Sequence, residues 1–183
     1  MWGYQRLGIE PDIGTVGKPM GNGHPVAAVI KRRDLAERFS PVGEFFSTFG
    51  GNPVAMAAAL AVLEVIDDER IIANAAGVGE YLARRLREVA SWTPLIGEVR
   101  QIGLAIGVEI VRPGTTEPDA ATTKEIVEGM RRDGVLIGTT GRPSDTLKIR
   151  PPLVFGRQHA DQLVETLETV LERTPTLRRG RDC

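Results

Sequence analysis

The sequence predicts an α/β chain in two parts, a segment with short strands that ends in a long apolar helix and a smaller α/β lobe behind it. Three observations predict this. Short apolar runs bounded by Gly and Pro, "PDIGTVG" and "HPVAAVI", precede two long helical patterns, and the stretch from Gly97 onward reads β-β-α-β-β-α. With 183 residues and 42% hydrophobic content, the chain is long enough for one domain or for two small lobes sharing an interface.

"PDIGTVG", between Pro11 and Gly17, reads as a strand that delivers Lys18 into a Gly-rich loop, and "HPVAAVI" reads as the next strand. "KRRDLAERF" places Leu35, Ala36 and Phe39 at helical spacing and predicts a short surface helix. In "STFGGNPVAMAAALAVLEVIDD", Asn52 can cap, Pro53 suits the first helical position, and the run that follows is apolar nearly all round. Such a helix is expected between other layers. From Arg70 to Trp92, Ile71, Ala75, Val78, Leu82, Leu86 and Val89 form one stripe against a charged face, as on a surface helix.

"EVRQIGLAIGVEIV" reads as two strands or one bent one. A loop follows, then a helix over 123–133 with Thr122 and Glu125 as capping box and Gly134 as stop. "VLIGTT" and "TLKIRPPLVF" predict two more strands, and "HADQLVETLETVLER" the last helix. The expected core of this lobe is Val108, Ile110, Ile126, Val135, Ile137, Leu147, Ile149, Leu163 and Leu167.

A formal charge of −1 gives no basic excess to attract nucleic acid or an anionic membrane, except in the tail "LRRGRDC". The single Cys183 has no intrachain partner, so a disulfide framework and a cysteine metal cluster are excluded. The opening "MWGYQRLGIEPDIG" lacks the pattern of a signal peptide, and a cytoplasmic location is expected.

Lys18 is the residue that calls for chemistry. In "TVGKPMGNGHP" it precedes Gly21 and Gly23, the reverse of the order in a P-loop. Pro19 disfavours helical backbone at Lys18, so an extended conformation is expected there, and the glycines allow close backbone approach beyond it. An amine held in one pose suits attack on an aldehyde carbon, although a lone "GK" turn is more often a surface cation. His24, before Pro25 in the same turn, is assigned no chemistry, and His159 reads as solvent-facing.

Four stretches in order, "PDIGTVGKPMGNGHPVAAV", "FSTFGGNPVAMAAALAVLEVI", "GEVRQIGLAIGVEI" and "LKIRPPL", resemble the second half of class III pyridoxal-phosphate aminotransferases. The resemblance covers nearly the whole chain and is closest to the branch of alanine–glyoxylate aminotransferases and phosphoamine phospholyases. It implies part of a fold type I large domain plus a small C-terminal lobe, with pyridoxal 5'-phosphate as cofactor and Lys18 as its internal aldimine. It implies further that Thr48 contacts the cofactor phosphate held by a neighbouring subunit, hence a homodimer with shared sites. An amine or amino acid and a keto acid are the implied small-molecule partners. Many relatives carry an arginine at the position of Lys148 to hold a substrate carboxylate. Here Lys148 and Arg150, two apart on a predicted strand and so on one face, are candidate substrate-binding cations.

Relatives are longer, and the phosphate turn, ring-stacking aromatic and pyridine-binding aspartate that they carry upstream have no counterpart here. Met1 therefore reads as a start inside a longer frame or as an imposed boundary, and the chain alone is expected to be inactive. Gln101 in "VRQIG" replaces the family's usual glycine. The expected organisation is a partial cofactor-binding domain over 1–66, a connecting helix over 67–96, a small α/β domain over 97–173 and a disordered basic tail over 174–183. Two alternatives to transamination are a phospholyase acting on a phosphorylated amine such as ethanolamine phosphate, and a non-enzymatic truncated product or dimerisation module.

Overall fold

The computed structural model describes residues 1–174. It separates into two compact units, Met1–Arg70 and Ile71–Cys183. Except for Thr174, the predicted tail lies outside the described residues. Thr174 is buried, and its hydroxyl donates to Val170 O at 2.9 Å.

The first unit opens with a one-turn helix that the sequence reading did not foresee, α1 (Gly3–Leu7), which ends at Gly8 in the left-handed region. Strands β1 (Ile13–Val16) and β2 (Ala28–Lys31) form an antiparallel ribbon with Val16 opposite Ala28, and a 3-10 turn, Lys18–Gly21, lies in their connection. Arg32 ties this ribbon to α2 (Arg33–Phe39), donating to Asp12 at 2.7 Å and to Asp34 at 2.9 Å. Helix α3 (Pro53–Asp68) starts as expected, with Asn52 Oδ1 accepting from the Ala55 amide at 2.9 Å.

The expectation that α3 is buried between layers is not met. Only Ala55 and Ala59 are buried, whereas Val54, Met56, Leu60 and Val65 face solvent. Within this unit the helix packs on the 3-10 turn, and a two-stranded ribbon has too little apolar surface to cover a helix that is apolar on every side.

The second unit holds the core. Its sheet is antiparallel throughout, in the order β3-β4-β6-β5, with β3 Ile96–Ile102, β4 Ala105–Ile110, β5 Gly138–Thr140 and β6 Thr146–Ile149. Helices α4 (Ile71–Ala90) and α5 (Ala120–Arg132) pack against it, and α6 (Arg157–Arg173) packs on both of these helices. Alternation along β4 and β6 sends Ile106, Val108, Ile110, Leu147 and Ile149 inward to meet Leu82, Leu86, Val89, Ile126, Met130, Leu163 and Leu167. Val135 and Ile137 are only partly buried at its margin, because β5 begins after them. The α4 stripe read from the sequence is buried at Ile71, Val78, Leu82, Leu86 and Val89, which makes this helix part of the core.

Helix α5 starts a turn earlier than the Thr122/Glu125 box implies. Asp119 caps it, accepting from Thr122 N at 3.0 Å and Thr122 Oγ1 at 2.8 Å, while Thr123 Oγ1 donates to Asp119 O at 2.7 Å. A carboxylate that accepts from two groups is the stronger cap, and it displaces the threonine.

Candidate functional site

Lys18 leaves the β1–β2 connection with φ +51°, not in the extended conformation expected before a proline. A left-handed backbone costs a non-glycine residue about 1–2 kcal/mol, so the surrounding turn holds it there. Two contacts build that turn. The Asn22 amide donates to Pro19 O at 3.0 Å, and Gly21 is buried so tightly that a Cβ on it would lie 2.6 Å from Val26 Cγ1. Gly21 is thus the glycine that close approach requires. The Lys18 side chain is exposed and has no ion-pair partner among the described residues, and His24 is held by its own amide, which donates to Gly21 O at 3.0 Å.

Thr48 stands in the loop that leads into α3, exposed, with a hydroxyl that has no partner among the described residues. The sequence offered the amides of both Gly50 and Gly51 to an anion. The Gly50 amide is already committed to Ser47 Oγ at 2.9 Å, which leaves Gly51, at φ +71°, with an amide that has no partner among the described residues, beside the positive end of α3. An unengaged amine, a free hydroxyl and a free amide at a helix start are a donor set suited to a cofactor carrying an aldehyde and a phosphate. Asp12, the acid nearest in sequence to β1, is engaged by Arg32 at 2.7 Å.

Sequence reasoning passed over the aromatics around Thr48. Phe45, Phe46 and Phe49 are 82%, 80% and 83% exposed. Three phenylalanines within five residues was the available signal, since aromatic side chains seldom stay in water without a partner surface.

In the second unit Lys148 is half-buried at the middle of β6, and its cross-strand neighbours are Gly107 on β4 and Gly138 on β5. No side chain flanks it in that row until Arg100, which lies opposite Gly107 on β3. The Arg100 guanidinium is raised above its ordinary range, first by its hydrogen bond to Glu98. Arg150 does not share the row. Strand β6 ends at Ile149, and Arg150 lines a cleft with Ile149, Phe155 and His159 to which Lys148 does not contribute. The cleft thus takes in Arg150 and not Lys148.

Gln101, the departure from the family's glycine, donates from Nε2 to Gly103 O at 3.0 Å. That same carbonyl lies 2.0 Å from where a Cβ on Gly79 would stand, so α4 and the β3–β4 turn meet backbone to backbone. The role of Gln101 is to hold this turn.

The family model described as Aminotransferase class-III matches residues 1–171. The chain is 37% identical over 174 residues to an ethanolamine-phosphate phospho-lyase homolog of Caenorhabditis elegans, covering 93% of this chain and 37% of that protein. It is 40% identical to an alanine–glyoxylate aminotransferase 2 homolog, mitochondrial, of Arabidopsis thaliana, covering 91% of this chain and 35% of that one. Among solved structures, a phospholyase from Arthrobacter in complex with phosphoethanolamine superposes with a TM-score of 0.90 at 47% identity, over 94% of this chain and 41% of its own. The chain thus spans about two fifths of the length of the proteins it matches. No helix among the described residues is long and apolar enough to cross a membrane.

Proposed function

The chain belongs to the class III aminotransferases, a pyridoxal-phosphate-dependent family of the fold type I architecture, and from that premise we propose that it carries the cofactor-holding lysine and the small lobe of an enzyme acting on an amine with an anionic tail. Of the two reactions in its neighbourhood, loss of phosphate from a phosphorylated amine such as ethanolamine phosphate is the better supported. The observation that carries it is the 47% identity to the Arthrobacter phospholyase, against 33% for an aminotransferase from Bacillus anthracis. Transamination between an amine or amino acid and a keto acid is the second reading, favoured by the Arabidopsis relative.

In this reading Lys18 holds the cofactor through Nζ, Thr48 and the Gly51 amide serve the phosphate of the cofactor held by a second copy, and Lys148 serves the acidic end of the substrate as a point charge. Pyridoxal phosphate, when bound, supplies the electron sink that makes the proton on the amine-bearing carbon removable. Lys18 Nζ, when not engaged with the cofactor, would be the base for that proton. A lysine at position 148 is chemically apt for phosphate, which a point charge satisfies, whereas a planar carboxylate is better gripped by the fork of an arginine. Thr48 is proposed to serve a cofactor held by a second copy of the chain, because the exposed phenylalanines around it need a covering surface. A cytoplasmic location is part of the same proposal.

The test is a chimera in which the upstream part of the Arthrobacter phospholyase precedes residue 1. With pyridoxal phosphate and phosphoethanolamine it should release inorganic phosphate in a Lys18-dependent manner. Keto-acid-dependent turnover of alanine without phosphate release would move the assignment to transamination, and neither activity in a folded, cofactor-loaded chimera would reject both.

A further inference from the structure

The second unit contains a cleft of about 320 Å³ that the reading above leaves unused. It opens between the α5–β5 connection, the end of β6 and the first turns of α6. Its walls are of two kinds. Val135, Ile137 and Phe155, all partly buried and packed against the core, make one side apolar, while Arg150, His159 and Gln162 bring polar groups to the other.

The polar side is uniform in sign. No aspartate or glutamate lines the cleft, and Arg150 has no ion-pair partner among the described residues. His159 Nδ1 accepts from the Gly156 amide at 3.1 Å, and its Nε2 lies 3.4 Å from Gln158 Nε2, so both ring nitrogens are engaged. The Phe155 ring lies 5.3 Å from the His159 ring, centroid to centroid, and joins the apolar wall to the polar one. The Gln162 side chain makes no hydrogen bond among the described residues. A cavity of this size with an apolar wall and a few converging donors has the make-up of a small-molecule site.

We propose that this cleft binds a small monocarboxylate with an apolar body, the carboxylate on the Arg150 guanidinium and the body against Val135, Ile137 and Phe155. A carboxylate matches the guanidinium fork in two parallel hydrogen bonds, and an exposed Arg with no acid nearby gives it up at no cost to the fold. A cation is opposed by Arg150, and a fully apolar ligand leaves the donors of Arg150 and Gln162 without acceptors. The proposal stands on the second unit alone, so it survives or fails independently of the cofactor reading.

The probe is phenylacetate, titrated into the 183-residue chain and followed by amide chemical shifts. Saturable shifts at Gly134–Ile137 and at His159 are expected, with phenylacetamide and phenethylammonium binding at least about tenfold more weakly, as loss of a charge-assisted pair requires. Arg150→Gln should weaken phenylacetate by the same factor. Gln162→Trp, at an exposed helix position on the cleft wall, should block it sterically while the helical circular dichroism stays unchanged. The proposal is overturned by phenylacetate affinity that survives Arg150→Gln, by shifts that map elsewhere, or by no saturable shift at about 20 mM, where a ligand of this size in a formed site is largely bound.

Discussion

At the scale of the residue, Lys18 combines two properties that pull against each other. Its left-handed backbone is unfavourable for any side chain beyond glycine, yet the side chain it carries is the one that chemistry with an aldehyde needs. Strain of this kind persists where surrounding contacts over-determine the conformation, as the buried Gly21 and the Asn22 hydrogen bond do here. In the chimera, Lys18→Gly should therefore raise resistance to urea by up to about 1 kcal/mol while abolishing cofactor that borohydride can trap covalently. Trapping that persists in this variant would remove Lys18 from its proposed role. Thr48→Val keeps the volume and removes one exposed hydroxyl, so it should weaken cofactor affinity by about 1–2 kcal/mol, the scale of a hydrogen bond to a charged group, with folding unchanged. Unaltered affinity by equilibrium titration would separate Thr48 from the phosphate.

At the scale of the element, periodicity located most of the fold, because apolar spacing reports which face a helix or strand buries. The stripe Ile71, Val78, Leu82, Leu86 and Val89 and the inward set Val108, Ile110, Leu147 and Ile149 were both legible and are both buried. What escaped is what spacing does not encode. The positive φ of Lys18 depends on contacts made by Gly21 and Val26, and the α5 cap passed from Thr122 to Asp119 because a carboxylate outcompetes a hydroxyl. The exposure of α3 was invisible for a similar reason, since an all-apolar helix says that it needs cover without saying whether the chain supplies it. Asp119→Ala should cost about 1 kcal/mol in chemical denaturation of the second unit. Gly79→Ala should cost more, ~3 kcal/mol, because the added methyl meets the Gly103 carbonyl and neither backbone can yield without moving α4 or the β3–β4 turn. If Gly79→Ala melts like the parent chain, the backbone contact is not as close as described.

At the scale of the whole molecule, the two units are unequal. Among the described residues the second buries most of its large apolar side chains, on a four-stranded sheet with three helices. The first buries only Ala55, Ala59 and Gly21, and leaves Ile13, Val29, Ile30, Val42, Phe45, Phe46, Phe49 and Leu60 at least half exposed. Stability follows buried apolar area at about 25 cal/mol per Å², so the first unit has little with which to offset the entropy of ordering some seventy residues. The chain alone should therefore open in two stages. Amides of Val108 and Leu147 should exchange with solvent only on global unfolding of the second unit, whereas those of β1, β2 and α3 should exchange nearly unprotected. In the chimera, where the upstream part of a relative is present, the same first-unit amides should gain protection, and binding of a hydrophobic dye should fall. Pyridoxal phosphate added to the chain alone should give weak, non-stoichiometric trapping on several lysines, since an unprotected turn cannot hold Lys18 in its strained pose. A purified 183-residue chain that protects β1 and β2 as well as β4 and binds the cofactor one to one would show that the first unit draws its stability from something other than buried apolar surface.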